Sequence, residues 1–167
     1  MLTSFLSVNQ IVIRAAELSD SAMLAVLCVT VWTDTYSLEG LEAAHADYML
    51  AEFSPANMQT NISTKVVWVA ELDGKVVGVM VFSPEKHEID TLYVLRHFKG
   101  MGIGRAFLKK LRANFIGAVY LTCWEGNSPA IQFYQAVGLV EDGEDFFPLD
   151  GQLHRNIRFC MPENWEL

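Results

Sequence analysis

The sequence contains little cysteine and no pattern that would hold a metal. Cys28, Cys123 and Cys160 are widely spaced and include no C-x-x-C pair. The four histidines are scattered, without the H-x-x-x-H or H-E-x-x-H spacing of a zinc site. There is no G-x-S-x-G elbow, and Cys123 lies in a buried-strand pattern, which disfavours covalent catalysis. We therefore predict no metal, and thiols that are buried in a reducing compartment.

Positive charge is also scarce, with 12 basic residues against 20 acidic ones and a formal net charge of −8. A general nucleic-acid binder usually presents a basic face. The longest near-apolar run, MLAVLCVTVW, is too short to span a bilayer. The N-terminus lacks the positive start and long apolar stretch of a signal peptide. We expect a cytoplasmic protein that binds neither nucleic acid nor membrane.

The chain has no internal repeat, no low-complexity tract and no linker rich in Pro, Gly or Ser. Its 167 residues, of which 51% are hydrophobic, suit one domain with one core. We therefore predict a single domain over residues 1–167, with residues 1–9 as a loose N-terminal tail.

Hydrophobic periodicity predicts the order strand, helices, three strands, helix, strand, helix and two strands. The first helix begins near Ser19 or Asp20 and turns apolar residues such as Met23 and Val26 toward a sheet. The Asp-Gly pair at 73–74 separates two β-rich runs and predicts a hairpin. This order indicates an α/β (α+β) fold, with a mixed, mostly antiparallel central sheet of about seven strands flanked by helices.

Glycine takes every second position in KGMGIGRAFLKKL, at Gly100, Gly102 and Gly104, between a predicted strand and a predicted helix. A helix N-terminus presents unpaired amides and partial positive charge, so glycines that expose those amides are typical of a phosphate site. The same glycines are also typical of a tight turn that needs only a positive φ. The spacing fits neither G-x-G-x-x-G nor the P-loop, which disfavours NAD, FAD, ATP and GTP.

The segment LYVLRHFKGMGIGRAFLKKL resembles the acyl-CoA-binding segment of the GCN5-related N-acetyltransferase (GNAT) superfamily. Lys99, Gly102 and Gly104 match the family's Gln/Arg-x-x-Gly-x-Gly/Ala motif, although Lys99 replaces Arg or Gln, and Arg96 stands where proline is common. A second family motif, a short helix, is matched at Asn127, Ala130, Phe133, Tyr134, Gly138 and Leu139. The resemblance covers nearly the whole chain.

The resemblance implies that an acetyl group moves from acetyl-CoA to a primary amine by direct attack in a ternary complex. It implies a single-domain GNAT-like fold with acyl-CoA in the splay between strands 4 and 5. The residues expected to contact acetyl-CoA are Leu92, Tyr93, Val94, Lys99, Gly100, Met101, Gly102, Ile103, Gly104, Arg105, Asn127 and Tyr134. Main-chain amides over 101–105 should bind the diphosphate, and one over 92–94 should bind the oxyanion. Asn127 would contact the pantetheine arm or a neighbouring carbonyl.

The chemistry needs a base for the amine and an acid for the leaving thiolate. The candidate bases are Glu88, Asp90 and Glu125, in that order, and the first two share a strand face. Tyr134 is the candidate acid, because a phenol keeps its proton at neutral pH. Its position in an apolar helical stripe is also typical of core packing, and the family match favours the acid role.

The core motifs do not fix the amine acceptor. Acids at Asp34, Glu39, Glu42 and Asp47 suit a small cationic amine such as a polyamine, and they are also typical of a solvated helix face. A protein N-terminus, an amino acid or an antibiotic amine fits the motifs as well. Two other classes stay open: a non-catalytic acyl-CoA-binding module, and a protein-interaction domain with a structural glycine turn. Homodimers are common in the family that the sequence resembles, so the resemblance also suggests a homodimer.

Overall fold

The computed structural model describes residues 10–167, which form a seven-stranded sheet with helices packed on both faces. The strands are β1 (Ile11–Ala15), β2 (Val66–Leu72), β3 (Lys75–Ser83), β4 (Glu88–Val94), β5 (Val119–Trp124), β6 (Val140–Leu149) and β7 (Gln152–Met161). The α-helices within that range are α1 (Ser21–Tyr36), α2 (Ala43–Glu52), α3 (Pro55–Thr64), α4 (Ile103–Asn114) and α5 (Ser128–Ala136). The predicted tail, residues 1–9, lies outside the described residues.

The strand order is β1-β2-β3-β4-β5-β7-β6, and every neighbouring pair is antiparallel except β4 with β5. The mixed, mostly antiparallel sheet predicted from the sequence is therefore confirmed. No helix among residues 10–167 has the length and apolar character needed to cross a bilayer.

The core consists of two apolar layers, one on each face of the sheet. Successive side chains of a strand point to opposite faces, so Val79 joins the layer with α1 to α3 whereas Met80 joins the layer with α4 and α5. Leu24 and Val69 belong to the first layer and Phe107 to the second. The continuous apolar runs of β2 and β3 follow from burial on both faces.

Helix α1 buries a different stripe from the predicted one. Met23 and Val26 are 46% and 67% exposed, whereas Cys28 is fully buried. Leu27 and Val31, which share the predicted stripe, are buried as expected. The helix is apolar nearly all round, so its periodicity does not single out the face that meets the sheet.

The β2–β3 and β6–β7 hairpins each turn through two residues with positive φ. Asp73 and Gly74 have φ of 51° and 74°, and Asp150 and Gly151 have φ of 51° and 70°. Positive φ at both central residues is the pattern of a type I′ turn, which matches the twist of the flanking strands. The hairpin predicted from the Asp-Gly pair at 73–74 is confirmed.

Strand β4 contains a bulge at Asp90. Phe82 of β3 pairs with Ile89, but the residue before Phe82 pairs with Thr91, so Asp90 is the extra residue. As a result, Ile89 packs in the layer with α4 whereas Tyr93 packs in the layer with α1. Strict alternation would have placed both side chains on one face.

Strands β4 and β5 separate soon after they meet. In the described part of the chain their ladder is one register pair, Glu88 with Tyr120, beside a hydrogen bond of 2.8 Å from the Tyr120 amide to the His87 carbonyl. Beyond that point the strands diverge, which is the predicted separation between strands 4 and 5. Helix α4 follows β4 and helix α5 follows β5, so both helix N-termini lie at the open end of this gap.

Candidate active site

A cleft of about 770 Å³ occupies the gap between β4 and β5. Of the predicted site residues, twelve line it: Asp90, Leu92, Tyr93, Val94, Lys99, Gly100, Gly102, Ile103, Gly104, Arg105, Asn127 and Tyr134. Helix α1 adds Val31, Thr35 and Tyr36 to the lining of the cleft. The other three predicted residues, Glu88, Met101 and Glu125, are not among the described lining residues.

The three glycines serve two different purposes. Gly100 and Gly102 have φ of 80° and 83°, and an added Cβ at either would meet nothing within 4 Å. The left-handed backbone therefore explains these two glycines. Gly104 has an ordinary backbone, but its Cβ would lie 2.7 Å from Cζ of Phe133. Glycine at 104 thus lets the Phe133 ring of α5 pack directly on α4.

The glycine turn leaves a row of free amide groups at the start of α4. Within residues 10–167, no amide over 100–105 donates to a backbone carbonyl, and Ala106 is the first to do so, at 2.9 Å from the Gly102 oxygen. Lys99 and Arg105 line the same end of the cleft. The helix N-terminus adds partial positive charge, so this end suits a phosphate group or another multiply charged anion.

Strand β4 directs further amides into the gap. The amide of Leu95 donates to the Val77 carbonyl of β3 at 2.9 Å. Amides in an antiparallel strand alternate in direction, so those of Leu92 and Val94 face β5 and that of Tyr93 faces β3. The gap therefore presents two main-chain donors in its middle.

Tyr134 lies at the inner end of the cleft. Its side chain is 8% exposed and packs between Phe133 and Phe159, with ring centroids 5.3 and 5.4 Å away. Burial raises the pKa of the Tyr134 phenol far above its ordinary value of 10.0, and nearby Cys123 and Tyr36 raise it further. The phenol therefore keeps its proton throughout the neutral range.

Asn127 stands where β5 passes into α5. Its side-chain Oδ1 accepts a hydrogen bond of 3.3 Å from the amide of Ala130 and so caps the helix. Asn127 also lines the cleft. The cap fixes the direction of α5, on which Tyr134 lies.

Asp90 is the candidate base that lines the cleft. Its Oδ2 accepts a hydrogen bond of 2.6 Å from the Ser83 hydroxyl and lies 2.8 Å from Nζ of Lys65. Ser83 is buried, and Lys65 follows the last residue of α3. Both contacts use the same carboxylate oxygen, so they fix the side chain from one side.

The other two candidate bases lie apart from the cleft. Glu88 lines a second cavity of about 350 Å³, which shares Thr122 with the cleft. Glu125 is half exposed, and its carboxylate pairs with Arg155 at 3.0 Å. The structure thus brings Asp90 and Tyr134 to one cleft and leaves Glu88 and Glu125 outside it.

An aromatic cluster that sequence reasoning missed extends from the cleft toward the surface. We call it the aromatic wall, and its members are Trp32, Tyr36, Tyr48, Trp124 and Phe147. Ring centroids of Trp32 and Tyr36 lie 4.6 Å apart, and those of Tyr36 and Trp124 lie 5.3 Å apart. The spacing of Trp32 and Tyr36, four residues apart on a predicted helix, was the one local signal. The other members come from distant elements.

The model of the acetyltransferase (GNAT) family matches residues 30–139. The chain belongs to the GNAT family. Both motifs that carried the resemblance, the glycine turn at 99–104 and the short helix at 127–139, lie inside the matched range. The GNAT match thus covers α1 from its second half, the gap between β4 and β5, and the helices that border it.

Relatives agree with the GNAT assignment. A probable N-acetyltransferase of Mycobacterium tuberculosis is 33% identical over 93 residues, which cover 51% of this chain and 53% of that protein. The match therefore spans about half the length of this curated relative. A GCN5-related N-acetyltransferase of Rhodopseudomonas palustris has a TM-score of 0.73 at 20% identity, covering 95% of this chain and 99% of that one.

A second solved structure, PaiA N-acetyltransferase of Thermoplasma acidophilum in complex with coenzyme A, also has a TM-score of 0.73. It is 18% identical, and the match covers 89% of this chain and 98% of that one. At such identities the two structures establish the GNAT fold of this chain.

Proposed function

We propose that this GNAT protein transfers an acetyl group from acetyl-CoA to a primary amine by direct attack within a ternary complex. The observation that carries the proposal is the gap between β4 and β5. Two β4 amides, the free amides over 100–105 and Tyr134 all border one continuous cleft there. The coenzyme A complex of the Thermoplasma relative supports acetyl-CoA as the cosubstrate.

The glycine turn would hold the diphosphate of acetyl-CoA. Its amides over 100–105 carry most of the binding, because they need no side-chain ordering. Lys99 and Arg105 add positive charge at the same end. A lysine at 99 supplies a point charge rather than the bidentate fork of arginine, so the backbone contributes the geometry of the site. Asn127 would lie beside the pantetheine arm.

The remaining groups would act on the reacting atoms. The amine nitrogen forms a bond to the thioester carbon, and the amides of Leu92 and Val94 stabilise the charge that develops on the carbonyl oxygen. When the C–S bond breaks, the sulfur takes the electron pair. Tyr134 donates its proton to that sulfur, and the second proton that the nitrogen loses as the amide forms returns to the Tyr134 phenolate, directly or through a water. Burial raises the pKa of the phenol and so keeps it protonated before the transfer.

We assign Asp90 as the base that removes a proton from the attacking ammonium, directly or through a water. An alkylammonium has a pKa of about 10, so most of it is protonated at neutral pH. Ser83 and Lys65 both contact Oδ2 of Asp90, which leaves Oδ1 as the oxygen that receives the proton. The sequence ranked Glu88 first, but only Asp90 of the two lines the cleft within the described residues.

The identity of the amine stays a prediction. The polyamine expectation rests on Asp34, Glu39, Glu42 and Asp47, and all four side chains are exposed. A protein N-terminus is the alternative acceptor. A non-catalytic module would bind acetyl-CoA without turnover, so an activity assay separates it from the enzyme.

The test is thiol release from acetyl-CoA across polyamines, amino acids, aromatic amines and short peptides, together with the rise in melting temperature caused by coenzyme A. Gly102→Glu places charge and bulk against the phosphates and should abolish both signals. Gly74→Glu is the matched control, because Gly74 is also left-handed and open but lies outside the cleft lining.

Each failure has a distinct meaning. If coenzyme A stabilises Gly102→Glu as well as the wild-type protein, the glycine turn is not the diphosphate site. If coenzyme A binds but no amine releases thiol, the protein is a binding module. If coenzyme A has no effect on the wild-type protein, a protein-interaction domain is favoured.

A further inference from the structure

We propose that the acceptor is a small amine carried on an aromatic or flat apolar body, which the aromatic wall recognises. The inference rests on the proposed acetyl transfer and names the substrate class for that reaction. It depends on four observations: the charge of the cleft, the position of the wall, the way in which one of its rings is fixed, and the burial of the groups around it.

The cleft offers little to attract a polycation. Among the described lining residues, Asp90 is the one acid, and Lys65 already lies 2.8 Å from its carboxylate. A diffusible polycation is attracted by several carboxylates that share one concave surface. The acids on α1, α2 and the loop between them are exposed and do not line the cleft. One ammonium near Asp90 is therefore the charge that this site suits.

The aromatic wall leads outward from the place where the amine would react. Tyr36 lines the cleft and contacts Trp124 of β5. Trp32 continues the wall to Tyr48, with centroids 5.7 Å apart, and Tyr48 meets Phe147 of β6 at 5.2 Å. Tyr48, Trp124 and Phe147 are half-buried, so they present apolar area at the surface. Tyr36 is the member of the wall among the described residues that line the cleft, and the other members join α1, α2, β5 and β6 beside it.

The Trp124 ring is fixed in its orientation before any ligand arrives. A Cβ added to Gly126 would collide with the Trp124 indole, so the ring lies directly on the Gly126 backbone. Tyr36 contacts the same indole at an interplanar angle of 47°. A ring held by a neighbouring ring and by backbone loses little freedom on binding, which favours recognition of a flat apolar group.

The side of the wall next to the cleft is buried, with Trp32 5% and Cys123 7% exposed. Burial raises the pKa of Cys123 to about 11 and raises the pKa values of Tyr36 and Tyr93 well above the ordinary tyrosine value of 10.0. An apolar body gains most by transfer into such surroundings, and an ammonium beside aromatic faces gains a cation–π attraction. Both effects favour a single amine on an aromatic body.

The experiment compares 2-phenylethylamine with butylamine and 1,4-diaminobutane. We expect kcat/KM for 2-phenylethylamine to exceed that of either aliphatic amine by about tenfold or more, the discrimination that an apolar pocket provides. Quenching of tryptophan fluorescence in the coenzyme A complex gives an independent measure of amine binding, because Trp124 and Trp32 belong to the wall.

Variants of the wall test its role. Tyr36→Leu and Trp124→Leu should lower the ratio of kcat/KM for 2-phenylethylamine to that for butylamine by about tenfold, whereas Tyr36→Phe and Trp124→Phe should retain it. Phe146→Ala is the control, since Phe146 neighbours Phe147 but is 49% exposed and points to the other side of β6. KM for acetyl-CoA should be unchanged in folded Trp124 variants, because Trp124 is not among the described residues that line the cleft.

The outcomes separate the two proposals. Binding of 2-phenylethylamine without acetylation would support the aromatic acceptor and count against the proposed reaction. Preference for 1,4-diaminobutane, an unchanged ratio in the leucine variants, or equal quenching by 2-phenylethylamine and butylamine would each overturn the aromatic acceptor, whether or not acetyl transfer occurs.

Discussion

Tyr134 packs as a core residue and yet lines the cleft. Removing only its hydroxyl should leave that packing intact, because Phe fills the same space between Phe133 and Phe159. We expect Tyr134→Phe to lower kcat about a hundredfold, the usual contribution of a general acid, with KM for acetyl-CoA changed by less than about twofold. Steady-state kinetics with an accepted amine measure both values.

Tyr120→Phe is the control for that change, because the Tyr120 ring stacks under Arg158 beside the second cavity. Turnover by Tyr134→Phe at the wild-type rate would remove the acid role. Since burial raises the pKa of Tyr134, its ionisation should not lower kcat of the wild-type protein below about pH 10.

Asp90 and Glu88 lie two residues apart but face different cavities, so amide substitutions distinguish them. Asp90→Asn should lower kcat/KM by about 10²-fold or more, as expected for loss of a general base, and Glu88→Gln should change it only a few-fold. The measurement is kcat/KM for the amine, with melting temperatures to verify folding. A larger loss of kcat/KM in Glu88→Gln than in Asp90→Asn would identify Glu88 as the base, which is the residue that the sequence analysis ranked first.

At the level of single residues, most of the predicted site residues line the cleft, because the glycine turn and the short-helix motif are local patterns in the sequence. Gly100 and Gly102 belong to the first pattern and Asn127 to the second. The contact between Gly104 and Phe133 could not be predicted, since it depends on how two helices pack. The aromatic wall could not be predicted either, because its members lie far apart in the chain and meet only in the folded protein.

Helices α4 and α5 are held together by the contact of Phe133 with Gly104. Gly104→Ala should lower the free energy of unfolding by about 1–3 kcal/mol, because the new methyl group forces the ring out of its place. It should also displace α5, and with it Asn127 and Tyr134, so kcat should fall together with stability. Urea denaturation and steady-state kinetics test the two effects.

A compensating change separates packing from backbone effects. Phe133→Leu removes the ring edge that the methyl group meets, so the double variant with Gly104→Ala should be more stable than the sum of the single changes allows. Simple additivity would show that the two positions do not interact. Gly102→Ala provides the contrast, since its cost comes from a φ of 83° and Phe133→Leu should not relieve it.

Secondary structure followed from the sequence where one local rule dominated. The turn at 73–74 and the order of strands and helices are local patterns, and the structure has both. The buried face of α1 could not be predicted from the sequence, because that helix is apolar on most sides. The bulge at Asp90 did not follow either, since only the pairing with β3 reveals the extra residue.

Several groups that lose a proton at alkaline pH are buried in the folded protein. Burial raises the pKa of Cys28 to about 12 and that of Cys123 to about 11, from an ordinary 9.0, and it also raises the pKa values of Tyr36, Tyr93 and Tyr134. Above about pH 9 the unfolded chain loses these protons while the folded chain keeps them. The free energy of unfolding is therefore undiminished below that pH and falls as pH rises toward the folded pKa values.

We expect the melting temperature, followed by circular dichroism, to fall steadily between about pH 9 and pH 11. Cys123→Ala and Tyr36→Phe remove one ionising group each, and the slope of melting temperature against pH should be shallower in both. A constant melting temperature up to pH 11, or the wild-type slope in both variants, would contradict this account.

The gap between β4 and β5 gives the sheet two further edges inside the molecule. Within residues 10–167, the backbone groups that face the gap beyond Glu88 and Tyr120 have no partner strand, as on the outer edges of β1 and β6. Unpaired strand edges invite insertion of a foreign strand and hence aggregation. We therefore expect aggregation in concentrated solution to depend on whether the gap is filled, so that bound acetyl-CoA would protect the protein from aggregation in addition to serving as cosubstrate.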